Sequence, residues 1–530
     1  MDRRHLLMRG AAVGSALWLP LDVREADARS QRKAPLAREG TFEDGVGSGD
    51  PAPTAMTFWT RLAGTDVRQA RVKLVVATDP KFKRVVLRRR IPTTAGRDHT
   101  VKVRVGGLKP DTRYWYRFFT HGAESPIGRT QTAPAPGSDR AVKLGYFACQ
   151  DFASGFYGAY RSLLAADPDF VVCGGDYIYD RVYDTDGYGG ARPDTAGKDT
   201  VATTLADYRA KYRQARTDPD LKELLRLVPL VAQWDDHEVT DNYVGTLDQS
   251  GADDEDPRDV YDRARITAGH RAWHEFMPAR SFTGSQADRT YRKLRLGRHV
   301  ELFMLDSREY RDDQPCGGGS LQACDDDAPR QYLGATQLQW LKDGLQGSSA
   351  SWKLVGNQQM IMPFELSPGV KVEVDSWQGY PAQRTELLTH VQQRGIQDVV
   401  FLTGDIHTFF AGEVRRDGQT GPAVATELVG GSTTSPGTAQ TVGQQSGGVL
   451  SPDALKLLTD QIGTVNPWIQ YADTRAHGVA LVDLDGSGVR ARYLASRDVL
   501  TQAGSRDVRQ IADLRVARGR PGVDVASRAS

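Results

Sequence analysis

Five short apolar runs recur along the middle of the chain: Leu144 to Ala148, Phe170 to Cys173, Leu230 to Trp234, Val300 to Leu305 and Val399 to Thr403. Each has the length of a strand, and none alternates apolar with polar positions. Such strands have to be covered on both faces. Helical patterns lie between them, at Tyr160 to Ala166, Leu205 to Leu227, Asp259 to Met277, Thr336 to Leu345 and Arg384 to Arg394. Doubly covered strands alternating with helices specify an α/β domain, here expected over residues 141–500. Later runs, Ala423 to Val429, Val479 to Val482 and Val489 to Leu494, are expected to build a second sheet. The remaining tail, 501–530, is polar and basic.

Upstream the texture differs. Short β runs separated by turns fill residues 40–136, and Leu108 to Tyr114 reads as the corner before a late strand of a fibronectin- or immunoglobulin-like sandwich. Nothing there has catalytic spacing, so a small all-β sandwich domain is expected, with Thr132 to Ser138 as linker. The first residues read as an address. Arg3 and Arg4 precede a weakly apolar Gly10 to Leu21, and Ala26-Asp27-Ala28 offers a cleavage site. Residues 1–28 thus resemble a twin-arginine signal, which implies export in the folded state by the twin-arginine machinery and a secreted, extracytoplasmic destination.

Lys plus Arg numbers 68 and Asp plus Glu 67, a net charge of +1 over 530 residues. A near-neutral chain makes a poor non-specific binder of nucleic acid unless its basic residues cluster locally. No stretch approaches ~20 consecutive apolar residues, so no membrane-spanning helix is expected. Of the four cysteines, Cys316 and Cys324 flank the loop CGGGSLQAC and are expected to pair in an oxidising compartment. Cys173 ends an apolar run as a core thiol, whereas Cys149 stands between a strand and a polar turn.

The polar clusters fall where strands end. In order these are Cys149-Gln150-Asp151, Gly174 to Asp180, Trp234 to Glu238 with Asp241 and Asn242, Asp306-Ser307-Arg308, Asn357, and Gly404 to His407. The carboxyl ends of strands line the ligand crevice of α/β sheets, so these residues would share one site. Neither a G-x-S-x-G elbow nor a phosphate-cradling G-x-x-x-x-G-K-[ST] loop is present. Carboxylates, two histidines, a tyrosine and a thiol suit a multi-metal site, in which paired cations clamp a tetrahedral phosphate and activate a water. Asp176, behind two glycines, is the natural bridging carboxylate. Trp377 and Tyr380 fit a cleft wall and the core equally well. The acidic stretch Asp253 to Asp256 reads as a solvated loop rather than a calcium site.

The run GGDYIYD, the block WDDHEVTDN and the terminal GDIH resemble the metallophosphoesterase signature, in the version of the PhoD-like alkaline phosphatases. Gly45 to Arg61, Leu305 to Pro315 and Asp375 to Tyr380 extend the resemblance over roughly Phe42 to Asp498. It implies a double β-sheet sandwich flanked by helices (αββα) behind the β-sandwich domain. It also implies bound Fe(3+) and Ca(2+), and hydrolysis of phosphate monoesters and diesters by metal-activated hydroxide attack on phosphorus. Carried over by position, Cys149, Asp176, Tyr179 and His407 would hold iron. Asp236 and Asp405, oxygen donors where relatives outside the family place nitrogen or amide, would hold calcium, with Asn242 or Asn357 adding a neutral oxygen. His237 would protonate the leaving oxygen, and Asp306, Arg308 or Arg311 would orient it or grip the phosphate. Other readings are a phosphodiesterase or phospholipase D acting on phospholipids or teichoic-acid-like polymers, the same fold loaded with zinc or manganese, and a non-catalytic wall- or phosphate-binding protein.

Overall fold

Burial along the apolar runs decides the architecture. The computed structural model describes residues 34–182, 191–194, 196, 201–245, 263–318, 328–367, 370–371, 374–418, 420–445 and 461–528. The leader (1–28), Cys324 and Asp253–Asp256 lie outside them. Among the described residues no helix is long and apolar enough to cross a membrane.

Seven strands come first: β1 (Val46–Ala52), β2 (Ala55–Arg61), β3 (Gln69–Ala77), β4 (Val85–Thr94), β5 (Thr100–Gly106), β6 (Arg113–Phe119) and β7 (Gly128–Gln131). The sheet β4-β3-β6-β7 packs against β1, β2 and β5 through a core that includes Val46, Met56, Phe58, Leu74 and Tyr116. The Tyr114 hydroxyl accepts the Lys109 amide at 2.8 Å, the corner anticipated from Leu108 to Tyr114. This sandwich is not walled off from the α/β strands. Gly49 of β1 pairs in parallel with Leu230, and a Cβ on Gly49 would lie 2.4 Å from the Leu230 carbonyl, so glycine is what lets the two strands meet.

The next strands are β8 (Val142–Phe147), β9 (Phe170–Cys173), β10 (Leu230–Ala232), β11 (Arg292–Leu296), β12 (Val300–Met304), β13 (Trp352–Asn357), the small hairpin β14 (Glu365–Ser367) and β15 (Val370–Lys371), and β16 (Val399–Thr403). They are followed by β17 (Phe409–Arg415), β18 (Ala423–Gly430), β19 (Ile469–Asp473), β20 (Gly478–Leu484), β21 (Gly488–Ser496), β22 (Val508–Ala517) and β23 (Asp524–Arg528). One sheet runs β23-β22-β21-β20-β8-β9-β10-β1-β2-β5 and the other β11-β12-β13-β16-β18-β17-β19. In β9, Phe170 and Val172 enter the core between the two sheets, while Val171 and Cys173 enter the core beneath the helices. Val400 and Leu402 of β16 face the inter-sheet core, and Val399 and Phe401 face the opposite helix layer. That alternation makes the αββα sandwich.

Three details differ from the sequence reading. Leu205 to Leu227 forms two helices, Leu205–Ala215 and Pro219–Leu227, because Asp218 caps the second and Pro219 opens it. The runs Val479 to Val482 and Val489 to Leu494 do not join Ala423 to Val429 in the second sheet. They lie in the first, β20 beside β8 with Val482 opposite Leu144 and β21 beside β20, where Ala480, Val482 and Leu484 fill the inter-sheet core. The polar tail continues that sheet as β22 and β23, since Ala512, Leu514 and Val516 bury themselves in the same core.

Candidate metal centre

The strands β8, β9 and β10 lie parallel in one sheet, and β12, β13, β16 and β18 lie parallel in the other. The loops leaving them meet at one rim. Five residues there adopt the left-handed region that L side chains avoid: Cys149 (φ 53°), Asp176 (51°), Asn242 (53°), Asp405 (66°) and His407 (53°). Such strain persists only where surroundings over-determine it, and it gathers at functional sites. Gly175 (φ +127°) lets two loops touch, since a Cβ there would lie 2.6 Å from Asp235 Cβ. Glu238 ties the same loops by accepting the amides of Asp176 (3.2 Å), Tyr177 (2.7 Å) and Asp235 (2.7 Å).

Donor atoms of Cys149, Asp176 and His407 all lie within 4.8 Å of one another, as do those of Asp176, Asp236 and His237, and those of Asp235, Asp236 and Asp405. Asp176 and Asp236 are shared, which joins the three groups into one nest. The Tyr179 hydroxyl stands 3.3 Å from Asp176 Oδ2 and 3.1 Å from His407 Nε2, and the Ser435 hydroxyl donates to it at 2.7 Å. His407 Nδ1 donates to the Pro436 carbonyl at 2.9 Å, which leaves Nε2 as the lone-pair nitrogen facing the nest.

Two buried oxygens, Asp176 Oδ1 and Asp236 Oδ1, have no hydrogen-bond partner. Buried polar atoms are nearly always hydrogen-bonded, so these two oxygens, of which Asp236 Oδ1 has the Arg308 guanidinium at 3.4 Å, point to a further partner. Burial pushes the Cys149 thiol, the Tyr179 phenol and the Asp176 and Asp405 carboxyls well above their ordinary values, and neighbouring acids push the same way. Burial pulls His407 down to about 4, so its ring is neutral. Around Cys149, Asp176, Tyr179 and His407 acidic donors crowd one another beside a neutral imidazole, and a bound cation would relieve that repulsion. Thiol, phenol, imidazole and carboxylate surround one position, and carboxylates alone surround the other. The donor set fits a metal pair.

His237 stacks on Tyr179 with ring centroids 4.1 Å apart. Its Nδ1 meets Asp180 Oδ1 at 3.2 Å, and its Nε2 lies 3.8 Å from Asp241 Oδ1 at the exposed side. Burial works against the imidazolium, but Asp236, Asp176 and the bond to Asp180 outweigh it and hold His237 well above its ordinary value. These carboxylates favour the imidazolium over the neutral ring.

Several expected residues stand elsewhere. Arg308 does not open its fork to the crevice. Fully buried, it bonds Asp235 Oδ1 at 2.5 Å and Asp375 Oδ2 at 2.7 Å, and reaches Asp236 and Asp405 at 3.4 and 3.3 Å. Arg311 is spent on Asp375. Asp306 accepts the Trp234 indole N–H (3.0 Å), the Thr290 hydroxyl (2.8 Å) and two amides of its own loop, so it shapes that loop. None of the three orients His237; Asp180 does. The Asn357 amide is consumed by neighbouring loops, accepting from Trp377 at 2.9 Å and donating to the Gln359 carbonyl. Asn242 instead donates its backbone amide to Asp236 Oδ2 at 2.7 Å. Trp377 and Tyr380 sit in the core. Cys316 is disulfide-bonded, and its expected partner Cys324 is outside the described residues.

Sequence reasoning passed over Asp180, Asp235, Glu238, Asp375 and Ser435. The first three stood inside GGDYIYD and WDDHEVTDN, where spacing alone does not say which acid faces a metal. Ser435 follows β18, and the rule that site residues follow parallel strands would have found it.

A helix-flanked pair of sheets with a nest of metal-ligand donors at the strand ends defines a metallophosphoesterase-type hydrolase. Residues 144–493 match the PhoD-like phosphatase family, and residues 27–134 match the N-terminal domain of PhoD-like phosphatases. Alkaline phosphatase D of Bacillus subtilis (strain 168) is 33% identical over 491 residues, spanning 89% of this chain and 80% of that one. A solved structure of PhoD matches with a TM-score of 0.82 and 30% identity over 94% of each chain. Purple acid phosphatase PPD1 from yellow lupin (Lupinus luteus) seeds matches with a TM-score of 0.51 and 13% identity over 86% of this chain and 72% of that one, a likeness of fold alone. The chain belongs to the PhoD-like phosphatase family, and it is a phosphoric ester hydrolase.

Proposed function

We propose that this chain is an exported phosphoesterase that cleaves phosphate monoesters and diesters with Fe(3+) and Ca(2+). Cys149, Asp176, Tyr179 and His407 would hold the iron, and Asp236, Asp405 and Asp235 the calcium, with Asp176 between them. The carrying observation is that three donor groups overlap at Asp176 and Asp236, each of which keeps one buried carboxylate oxygen without a hydrogen bond. When bound, the cations supply positive charge that polarises the phosphoryl group and acidifies a water. The thiol and phenol favour iron, and the all-carboxylate side favours a hard oxygen-seeking ion such as calcium.

The protein's own groups do the rest. Arg308 keeps four carboxylates at their stations. His237, protonated and fixed through Nδ1 by Asp180, presents Nε2 to the leaving oxygen and delivers its proton there as the ester bond breaks. Export rests on Arg3, Arg4 and the Ala26-Asp27-Ala28 stretch.

The test is metal analysis and visible absorption of the mature protein, together with turnover of nitrophenyl phosphate and of bis(nitrophenyl) phosphate. Expected are iron and calcium in the protein, a visible band weakened by Tyr179→Phe or Cys149→Ser, and loss of both activities in Asp176→Asn. An active, colourless, iron-free protein overturns the iron assignment, and failure to turn over either ester overturns the activity.

A further inference from the structure

The chain's near-neutral total hides a local imbalance. Residues 71–90 carry eight cations, Arg71, Lys73, Lys81, Lys83, Arg84, Arg88, Arg89 and Arg90, against one carboxylate, Asp79, a net +7 within a chain of net +1. They belong to the hairpin of β3 and β4, and β4 is the edge of its four-stranded sheet. Lys81, Lys83, Arg84, Arg88, Arg89 and Arg90 are all exposed.

Their one acid does not neutralise them. Asp79 spends its oxygens on the turn, accepting the amides of Lys81 (3.0 Å), Lys83 (3.2 Å) and Arg84 (2.7 Å), and it reaches the Arg84 side chain only at 3.9 Å. Among the described residues Lys81, Lys83, Arg88, Arg89 and Arg90 have no ion pair, and none bonds to the metal nest. One or two charges are enough to keep a sheet edge from pairing with another copy. Six exposed cations exceed that need.

The register says what shape of anion fits. Arg88 and Arg90 stand opposite Val75 and Lys73, whereas Arg89 stands opposite Leu74, on the other face. On the outer face Val75 also pairs with Arg117, and Lys73 lies over the Phe119 ring at 4.5 Å. Alternate residues on a strand are separated by ~6.7 Å, the reach between successive charges of an extended anionic chain. Arg88 and Arg90 lie on the outer face and exposed Arg89 on the face shared with Leu87 and Ile91, so the charges fan around the edge, which suits a narrow flexible chain better than a flat bilayer. We propose that the β3–β4 edge is a docking surface for a linear phosphodiester polymer, separate from the catalytic nest and independent of which ester that nest cleaves.

The experiment measures binding of fluorescently labelled poly(glycerol phosphate) to the full mature chain carrying Asp176→Asn, so that turnover does not consume the probe. The expected result is binding that weakens steeply with salt. In Arg88→Glu/Arg89→Glu/Arg90→Glu, affinity should fall at least about tenfold, with the salt slope reduced by about two to three. On the otherwise native chain the same triple change should leave turnover of nitrophenyl phosphate unchanged, which also reports correct folding. Lys81→Glu/Lys83→Glu/Arg84→Glu tests the hairpin tip should the first variant fail to fold, and should weaken binding likewise. No binding at low salt, unchanged affinity and slope in a folded variant, or capture by phosphatidylglycerol vesicles in preference to the polymer overturns the proposal.

Discussion

Replacing Arg308 by Met removes the guanidinium that reaches all four of Asp235, Asp236, Asp375 and Asp405. Desolvation opposes its charge, but those four carboxylates hold its pKa far above the ordinary value, so the cation is constitutive. Met fills much of the same volume, which keeps the loss electrostatic rather than a cavity effect. Breaking a buried ion pair while leaving its partners in place costs about 3–5 kcal/mol. With an unfolding entropy of ~2.1 cal/mol/K per residue, a chain of this size loses roughly 1 °C of Tm per kcal/mol, so a fall of about 3–5 °C is expected. The assay is thermal unfolding of chelated and metal-loaded protein at pH 8, and the fall should be larger in the chelated form, where no cation shares the load. Asp235→Asn removes one uncompensated charge, so the double variant should recover part of the loss, giving a coupling of at least about 1 kcal/mol. Arg308→Lys keeps the charge without the fork and should lie between Met and the native residue. A Tm change under about 1 °C in the chelated protein, or a double variant no better than Arg308→Met, would refute a charge-balancing role.

Chelated protein should be more stable at pH 5 than at pH 8. Burial raises Asp235 to about 7 and Glu238 to about 8. The folded state thus keeps protons that the unfolded chain releases above pH ~4, and stability is lost as pH climbs through those values. His237, also raised, adds stability below its unfolded value and loses it as pH rises through its folded one, the same sign. Metal loading should flatten or reverse the slope, and a chelated Tm that is level or higher at pH 8 contradicts the scheme. Asp180→Asn should lower kcat about 10–100-fold on alkyl phosphates with little change in KM, and far less on nitrophenyl phosphate, whose leaving group needs no proton. Equal losses on both substrates would make Asp180 structural only.

The sheets were legible because their strands are apolar without alternation, and burial on both faces leaves that trace and no other. The metal nest was legible through position, since Cys149, Asp176, Asp236, Asp405 and His407 each follow a strand and a common rim collects strand ends. What stayed hidden is direction. Arg308 is a free fork in sequence, but its neighbour in space is Asp375, 67 positions away, and no local pattern announces that bond. Asn357 stands at a strand's end near the ligands, yet it is the last paired residue of β13 and Trp377 claims its oxygen. Strand order was equally out of reach, for β20 and β21 have the apolar texture of either sheet, and only the pairing of β20 with β8, and of β21 with β20, assigns them to the first.

The left-handed backbone at Cys149, Asp176, Asp405 and His407 explains why strand ends and not helices carry the nest. A strand that runs on sends successive side chains to opposite faces, so a residue one position past the sheet would point away from a rim-centred ion. A single left-handed residue turns the chain sharply and swings that side chain across the end of the sheet. Each such turn costs about 1–2 kcal/mol in an L residue. The metal-free site therefore carries strain in its backbone as well as repulsion among its acids. Both are relieved by the same event, because a cation bonded to those side chains holds the turns in place while neutralising the charges. Affinity for the metal and stability of the fold are then one quantity seen from two sides, and a variant that relaxes the backbone at Asp176 should weaken the ion even with every donor retained.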